Sequence, residues 1–416
     1  MAERAAHLVD HVCPDVPVRQ WVLSMPYRLR YRLAWDHDLC RAVVAAYLRA
    51  VLGWLRRRAR GDGVRDGRGG AVAIVQRFGG ALNLNVHVHA LVVDGVFARD
   101  AAGDLAFHSR PLLTALDVAE VLATVEPGIT RVLERRGLGD RDEKGGAPDE
   151  WADEAPVLAG FAAASVGGTV ALGRPRGARL ARLGEAPEDE RDAGPAVARC
   201  HAQANGFDWH AGLVGRAKQR DRLERLCRYA RRPPVAGDRL HVTGTGQVRL
   251  QLRHRWADGT THLVFEPLEC LGRLAVRVPR PRVNLILYYG VLGARAAWRR
   301  EVVPCERSVA EDDAEATEGS DADADTPDAA RRRARGQCWA ALMPRTCALD
   351  VLACPRCGGR LRLVALIDQG AVIGRILRHR GLPTAVPTPR PARAPPRPAG
   401  LAARCDDAVS VFDSWS

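Results

Sequence analysis

Two histidines that stand two residues apart, His87 and His89, are the first candidates for chemistry. Side chains of a β-strand alternate between its two faces, so in the segment NVHVHALVV both imidazoles would lie on one face. The opposite face would be continuously apolar and therefore core; its members are Val86, Val88, Ala90 and Val92. Two imidazoles on one face of a rigid strand can chelate one divalent ion. The alternative is a pair of half-exposed strand histidines that bind nothing.

A third ligand has to come from another segment, and Gln76 is the candidate. It lies on the strand expected to form a hairpin with the histidine strand, in phase with Ile74 and Phe78. An amide oxygen is a hard ligand that suits Mg²⁺ or Mn²⁺. If Gln76 faced away from the imidazoles, Asp94 would be the next candidate.

A nucleophile is predicted on a basic helix over residues 217–232, where Tyr229 lies off the apolar stripe. The arginines that share its helical face are Arg222, Arg225 and Arg232. Nearby positive charge favours the phenolate, and guanidinium groups bind phosphate oxygens in pairs, so this tyrosine is well placed to meet a phosphate. The alternative is an ordinary surface tyrosine on an amphipathic helix.

A CxxC pair, Cys354 and Cys357, is followed by two glycines and is typical of one knuckle of a zinc ribbon. The other candidate ligands nearby do not form a second knuckle; they are Cys338, Cys347 and His379. Three interpretations are therefore open: a zinc-ribbon-like module in which Cys354 and Cys357 bind Zn²⁺ with ligands from this chain, a zinc site completed by another chain, and a vestigial knuckle.

The elements that must position these residues are predicted from periodicity. Strands are expected at 19–26, 71–78 and 85–97, and a long helix at 36–60 that Asp36 or Asp38 would cap. Further helices are expected at 112–136, 150–165 and 267–277, and further strands at 207–214, 239–253, 261–265 and 282–292. This order predicts an α+β domain in which helices flank one central antiparallel sheet.

Composition narrows the class of protein. The chain of 416 residues carries a net charge of +13, although residues 311–330 hold nine acidic residues and no basic ones. Such an excess of arginine favours a nucleic acid as partner, although a GC-rich genome would also raise the arginine content. No stretch is long and apolar enough to cross a membrane, and the N-terminus lacks the apolar core of a signal peptide. Most of the cysteines are scattered singly, which is typical of reduced intracellular proteins. We therefore expect a cytoplasmic protein of bacteria, associated with the nucleoid.

The domain boundaries follow from composition shifts. We predict a catalytic domain over 1–305 with a helical insertion at about 111–205, and an acidic, then basic, disordered linker over 306–335. A small CxxC module over 336–382 and a Pro/Arg-rich tail over 383–416 complete the chain.

Several long segments together resemble the transposases of the rolling-circle insertion-sequence group, the family numbered ninety-one among bacterial insertion sequences. They occur in the family's order and span most of the chain; they are HLVDHVCPDVPVRQWVLSMPYRLRY, VQRFGGALNLNVHVHALVVDGVF, RLCRYARRPPVAGDRL, WADGTTHLVFEPLECLGRLAVRVPRPRVNLILYYGVL and CALDVLACPRCGGRLRLVALI. The resemblance implies an HUH endonuclease fold, with His87 and His89 as the metal pair on a central strand and Tyr229 as the nucleophile on a nearby helix.

The resemblance also implies the reaction. A Mg²⁺- or Mn²⁺-dependent transposase would nick and rejoin single-stranded DNA through a 5′-phosphotyrosine. Two departures stand out: Arg225 occupies the position of a second tyrosine that many members carry, and the sequence begins at the end of their N-terminal zinc domain. The first alternative is therefore a degenerate relic that binds DNA without cutting it. A metal hydrolase that does not act on DNA is the second, but it leaves the arginines around Tyr229 unexplained.

Overall fold

The computed structural model describes residues 2–109, 113–139, 149–184, 200–235, 239–303, 340, 342–362, 367 and 369–384. The described residues fall into two compact units, one up to residue 303 and the other from residue 340. The first unit is a mixed α+β structure with a large antiparallel sheet flanked by helices. None of the helices within these ranges has the length and apolar character to cross a membrane.

The large sheet has six strands: β1 (Val18–Ser24), β2 (Gly70–Phe78), β3 (Leu84–Val93), β7 (His201–Ala204), β8 (Phe207–Gly215) and β12 (Ile286–Gly290). Their order across the sheet is β12-β2-β3-β1-β8-β7, and every neighbouring pair is antiparallel. The histidine strand β3 therefore lies inside the sheet, between β2 and β1.

Two smaller sheets accompany it. One has four strands in the order β6-β11-β10-β9, namely β6 (Ala181–Gly184), β9 (Leu240–Val242), β10 (Val248–Gln251) and β11 (Thr260–Phe265). The other is the hairpin of β4 (Gly95–Arg99) and β5 (Leu105–Ser109).

Nine helices are assigned in the described part of the first unit: α1 (Ala2–His11), α2 (Tyr27–Trp35), α3 (His37–Gly61), α4 (Ala115–Arg135), α5 (Glu150–Glu154), α6 (Pro156–Gly167), α7 (Arg220–Ala230), α8 (Pro267–Ala275) and α9 (Arg299–Val302). The long helix α3 begins where predicted, because the Asp36 carboxylate accepts the Leu39 N–H at 2.8 Å. The second unit contains α10 (Gly370–His379).

The two faces of the large sheet differ in what covers them. The back face packs against α3 and holds an aromatic cluster in which Trp21 contacts Trp54 and Trp209, with ring centroids 6.4 and 5.3 Å apart. The front face packs against the apolar sides of α1 and α7, through residues such as Ile74 and Leu91. Burial of apolar side chains on both faces makes the sheet a fixed platform.

The predicted strand over 85–97 is wrong in one respect, because it is two strands divided at Asp94. The Arg19 Nε and Nη2 donate to the two carboxylate oxygens of Asp94 at 2.9 and 2.7 Å, and both side chains are buried. This pair holds Asp94 on the large sheet, while the chain beyond it leaves to form β4.

The expectation of one sheet was also incomplete. The strands predicted at 239–253 and 261–265 form a separate four-stranded sheet with β6, over a core that includes Leu250, Leu263 and Phe265. Only four residues form β6, and all four are exposed. A strand this short with no buried face lacks the alternation of apolar and polar residues from which a strand is predicted. The predicted linker, Cys338 and the end of the tail lie outside the described residues, and the domain boundaries remain predictions.

Candidate active site

The histidine pair lies on the front face of β3. Val86, Val88, Ala90 and Val92 are fully buried on the back face, as the alternation predicts. His87 and His89 are 7% and 4% exposed, and their ring centroids are 5.0 Å apart. The structure therefore does not place them as the half-exposed strand histidines of the alternative interpretation.

The ring of His87 is oriented by its own strand. Its Nδ1 lies 3.0 Å from the Asn85 carbonyl oxygen, which can only accept, so Nδ1 carries the proton. In the neutral ring the lone pair is then on Nε2, the atom that a metal ion would take.

The ring of His89 is oriented from β1. The side-chain amide of Gln20 lies 2.7 Å from its Nδ1. With the amide nitrogen toward the ring, Gln20 donates to Nδ1; with the amide turned over, its oxygen accepts from Nδ1–H and Nε2 carries the lone pair. Metal binding through Nε2 selects the second arrangement. Burial, followed by the charges of His87 and Arg232, lowers the pKa of His89 well below its ordinary value, so the ring is neutral near pH 7.

Gln76 occupies the position that the predicted hairpin requires. It lies directly opposite His87 in the β2–β3 pair and is 4% exposed. Its Nε2 donates to the Ala230 carbonyl at 2.6 Å, which joins β2 to the end of α7. Its Oε1 is buried and has no hydrogen-bond partner among the described residues. A buried amide oxygen without a donor loses free energy unless something else satisfies it, and a cation would do so.

Tyr229 is brought to the histidines by α7, whose apolar stripe packs on the front face. Its ring centroid is 5.8 Å from that of His89, and the two rings are nearly perpendicular. The Arg232 guanidinium lies over the phenol ring, 4.7 Å from its centroid. Tyr229 is half-buried, because its ring lies against that of His89 on the front face of the sheet.

The other two predicted arginines are not drawn into this cluster. Arg222 and Arg225 are exposed on α7, and no described hydrogen bond or ring contact joins either of them to His87 or His89. Of the three arginines predicted around the tyrosine, only Arg232 lies against its ring. The outer two remain predicted contacts for phosphates.

The donor set fits a hard divalent cation. No group of three or more His, Cys, Asp or Glu side chains in a metal-binding arrangement occurs in the described ranges. The two imidazoles and the amide oxygen of Gln76 nevertheless offer three ligands of the kind that Mg²⁺ or Mn²⁺ accepts alongside water. The fallback ligand, Asp94, is occupied by Arg19.

Sequence reasoning missed Gln20. The segment around it was predicted as a strand, and its pairing with β3 puts Gln20, Val22 and Ser24 on the histidine face. A polar residue in phase with those side chains is the signal that could have identified it, but only once β1 is known to neighbour β3.

The CxxC pair belongs to the second unit. Cys354 and Cys357 flank a tight turn in which the Gly358 N–H donates to the Cys354 carbonyl at 2.8 Å. Hydrogen bonds from the Arg356 and Cys357 backbone lower the pKa of the Cys354 thiol. Within the described ranges no third and fourth ligand join these two thiols, so zinc there stays a prediction.

Comparison with protein-family models gives a match. A family model described as "Putative transposase" matches residues 70–299, which is more than half of the chain and runs from β2 to the start of α9. No curated protein and no solved structure matches the chain.

Proposed function

The chain belongs to the transposase family that it matches, and on that premise we propose that it cuts and rejoins single-stranded DNA through a covalent bond to Tyr229. The observation that carries the proposal is the placement of the Tyr229 ring 5.8 Å from that of His89, on the front face of the sheet. A tyrosine hydroxyl beside two imidazoles that could hold a divalent ion suits metal-assisted phosphoryl transfer.

In this proposal His87, His89 and Gln76 hold Mg²⁺ or Mn²⁺. When bound, such an ion supplies positive charge that polarises the scissile phosphate and offsets the negative charge that develops on it. The orphaned Oε1 of Gln76 and the lone pair on His87 Nε2 support this ligand set. We propose likewise that the sheet and its helices form an HUH-type endonuclease fold.

The covalent step belongs to Tyr229. Its Oη attacks phosphorus, the Oη–P bond forms as the bond between phosphorus and the 3′-oxygen breaks, and the phenol proton passes to solvent. The 3′-oxygen takes up a proton and leaves as a 3′-hydroxyl, while the 5′-phosphate stays on Tyr229. The positive charge of Arg232, over the ring, favours the phenolate. Reversal by another 3′-hydroxyl reseals the strand, and no nucleotide cofactor is needed because the phosphodiester becomes a phosphotyrosine.

Single-stranded rather than duplex DNA is the proposed substrate, within the rolling-circle class. The strand would meet the exposed arginines of α7, Arg222 and Arg225, which can bind phosphates without reading sequence.

The test is adduct formation. The full chain is incubated with Mn²⁺ and labelled single-stranded DNA that carries the sequences flanking the gene, then denatured and resolved by size. We expect a labelled covalent species that requires the metal and Tyr229. If wild-type protein binds this DNA but forms no adduct under any metal condition, the chain is the non-catalytic relic, with Arg225 in place of a second tyrosine.

A further inference from the structure

A cavity of about 740 Å³ opens on the front face beside the end of α7, and the proposed chemistry does not use it. The residues that line it include Arg4, His7, Arg231, Asn284, Ile286 and Tyr288. We propose that this cavity binds the nucleotide next to the cleaved phosphate, with its phosphate on Arg231 and Arg4 and its base against Tyr288. The inference rests on the proposed function and extends it to a site for the flanking DNA strand.

The cavity and the active site share one face of the sheet. Ile286 lies opposite Ile74, and Ile74 lies opposite His89, so the three side chains form one row across β12, β2 and β3. Two strand spacings separate the ends of this row, which amounts to about 10 Å. A strand of DNA attached to Tyr229 can cover that distance without crossing to the other face.

The charge of the cavity favours an anion. Arg231 directly follows the last residue of α7, and its Nε and Nη1 are buried without a hydrogen-bond partner among the described residues. Burial, followed by the charge of Arg4, lowers the pKa of Arg231, while Tyr288 and Cys227 oppose the shift. Within the described part of the chain, no aspartate or glutamate lines the cavity. A phosphate would satisfy the buried donors and both positive charges.

The remaining wall favours a base over a simple anion. Tyr288 is 37% exposed, and Ile286, two residues away on the same face of β12, is an apolar side chain at the same wall. An open aromatic side chain beside arginines is the surface on which single-stranded bases stack. Asn284 is exposed at the same wall and offers an amide for the edge of a base. Bases paired inside a duplex cannot reach such a wall, so the ligand is an unpaired nucleotide.

Binding experiments can test this separately from catalysis. Full-length Tyr229→Phe protein, which cannot cut, is titrated with fluorescent oligothymidylate and with an abasic oligonucleotide of the same length, by anisotropy. Tyr288→Ala should weaken oligothymidylate binding about tenfold, as the loss of one stacked base does, and leave the abasic strand unchanged. Arg231→Gln should weaken the binding of both oligonucleotides. It should also reduce the slope of log affinity against log salt concentration by about 1, the value expected for the loss of one phosphate contact.

Matched variants separate the site from a folding defect. Tyr288→Phe keeps the ring and should bind like the parent, and Arg174→Gln removes an exposed arginine elsewhere and should leave both strands unaffected. The proposal is overturned if Tyr288→Ala weakens the binding of oligothymidylate and of the abasic oligonucleotide equally, or weakens the binding of neither. It is also overturned if inorganic phosphate competes for the site as well as oligothymidylate at the same concentration. Adduct formation by wild-type protein together with any of these results would reject the cavity and retain the proposed function.

Discussion

The Gln76 Nε2 donates to the Ala230 carbonyl at 2.6 Å and so joins the strand beside the histidines to the helix that carries the tyrosine. The same side chain leaves Oε1 buried and without a protein partner in the described part of the chain. Under the proposed mechanism, Gln76 would both position the nucleophile and bind the metal, and substitution can separate these two roles.

Gln76→Glu keeps an oxygen ligand but loses the donor to α7. We expect Mn²⁺ affinity equal to or higher than that of wild type, measured by calorimetry, together with strongly reduced adduct formation, because a carboxylate now faces the Ala230 carbonyl. Gln76→Met should lose both Mn²⁺ affinity and adduct formation. In this variant the Ala230 carbonyl loses its donor, which should lower the free energy of unfolding by about 1–3 kcal/mol. Full adduct formation by Gln76→Glu would show that the contact with α7 does not position the tyrosine.

His87→Ala and His89→Ala should each reduce cleavage by about a thousandfold, since the metal's contribution to the transition state is several kcal/mol and each 1.4 kcal/mol is a factor of ten. Their back-face neighbours hold the strand in place, so both variants should retain the circular dichroism spectrum of wild type. His108→Ala, an exposed histidine on β5, is the control. Normal nicking by either variant of the pair would remove the metal assignment.

Tyr229→Phe should abolish the covalent adduct and preserve DNA binding with its dependence on salt, since only a hydroxyl is lost. The measurement is the labelled species that survives denaturation. Tyr289→Phe is the matched control, because Tyr289 points to the back face, where it packs against the core. An adduct that persists in Tyr229→Phe would assign the chemistry to another residue.

Asp94→Ala should destabilise the protein by about 3–5 kcal/mol, because it leaves the buried Arg19 guanidinium without its carboxylate. Urea denaturation followed by tryptophan fluorescence measures this loss. The double variant Arg19→Met/Asp94→Leu should recover much of the stability, since it removes both charges. Equal loss in the single and the double variant would mean that packing, not the ion pair, is what Asp94 contributes.

Acid should weaken the folded state in part through His210, which pairs with Val22 on the front face. Burial, and then His201, lowers the pKa of His210 below its ordinary value of 6.5 in the folded chain, while Asp208 opposes the shift. The unfolded chain therefore takes up a proton below pH 6.5 that the folded chain resists, and stability falls as pH drops from 6.5 toward the folded pKa. His210→Gln should reduce the loss of unfolding free energy between pH 7.5 and 5.5. The control His108→Gln, at an exposed position, should leave that loss unchanged. If His210→Gln also leaves the loss unchanged, His210 does not cause this part of the acid sensitivity.

The side chains that share one face of a strand, and the residue at which a helix begins, could be predicted from the sequence pattern. Alternation along β3 determines which side chains share the face of His87, and the polar cap at Asp36 determines the start of α3. Hairpin pairing of the two neighbouring strands likewise predicts Gln76 beside the histidines, and the register places it directly opposite His87.

What could not be predicted depends on contacts between distant segments. Gln20 meets His89 only because β1 inserts between β3 and β8, and no local pattern specifies that neighbour. The division of the strand at Asp94 depends on Arg19, which is 75 residues away. The burial of Tyr229 depends on how α7 docks onto the sheet, and that is decided by the whole front-face core.

The order of the strands has a consequence for synthesis on the ribosome. β1, β2 and β3 emerge early, but β8 pairs with β1 only after residue 215 has been made, and the edge strand β12 follows after residue 290. The histidines can thus lie on a formed hairpin well before α7 brings Tyr229 to them. A nascent chain that stalls before residue 229 would carry the histidine pair without Tyr229, so under the proposed mechanism an interrupted translation product would leave DNA uncut.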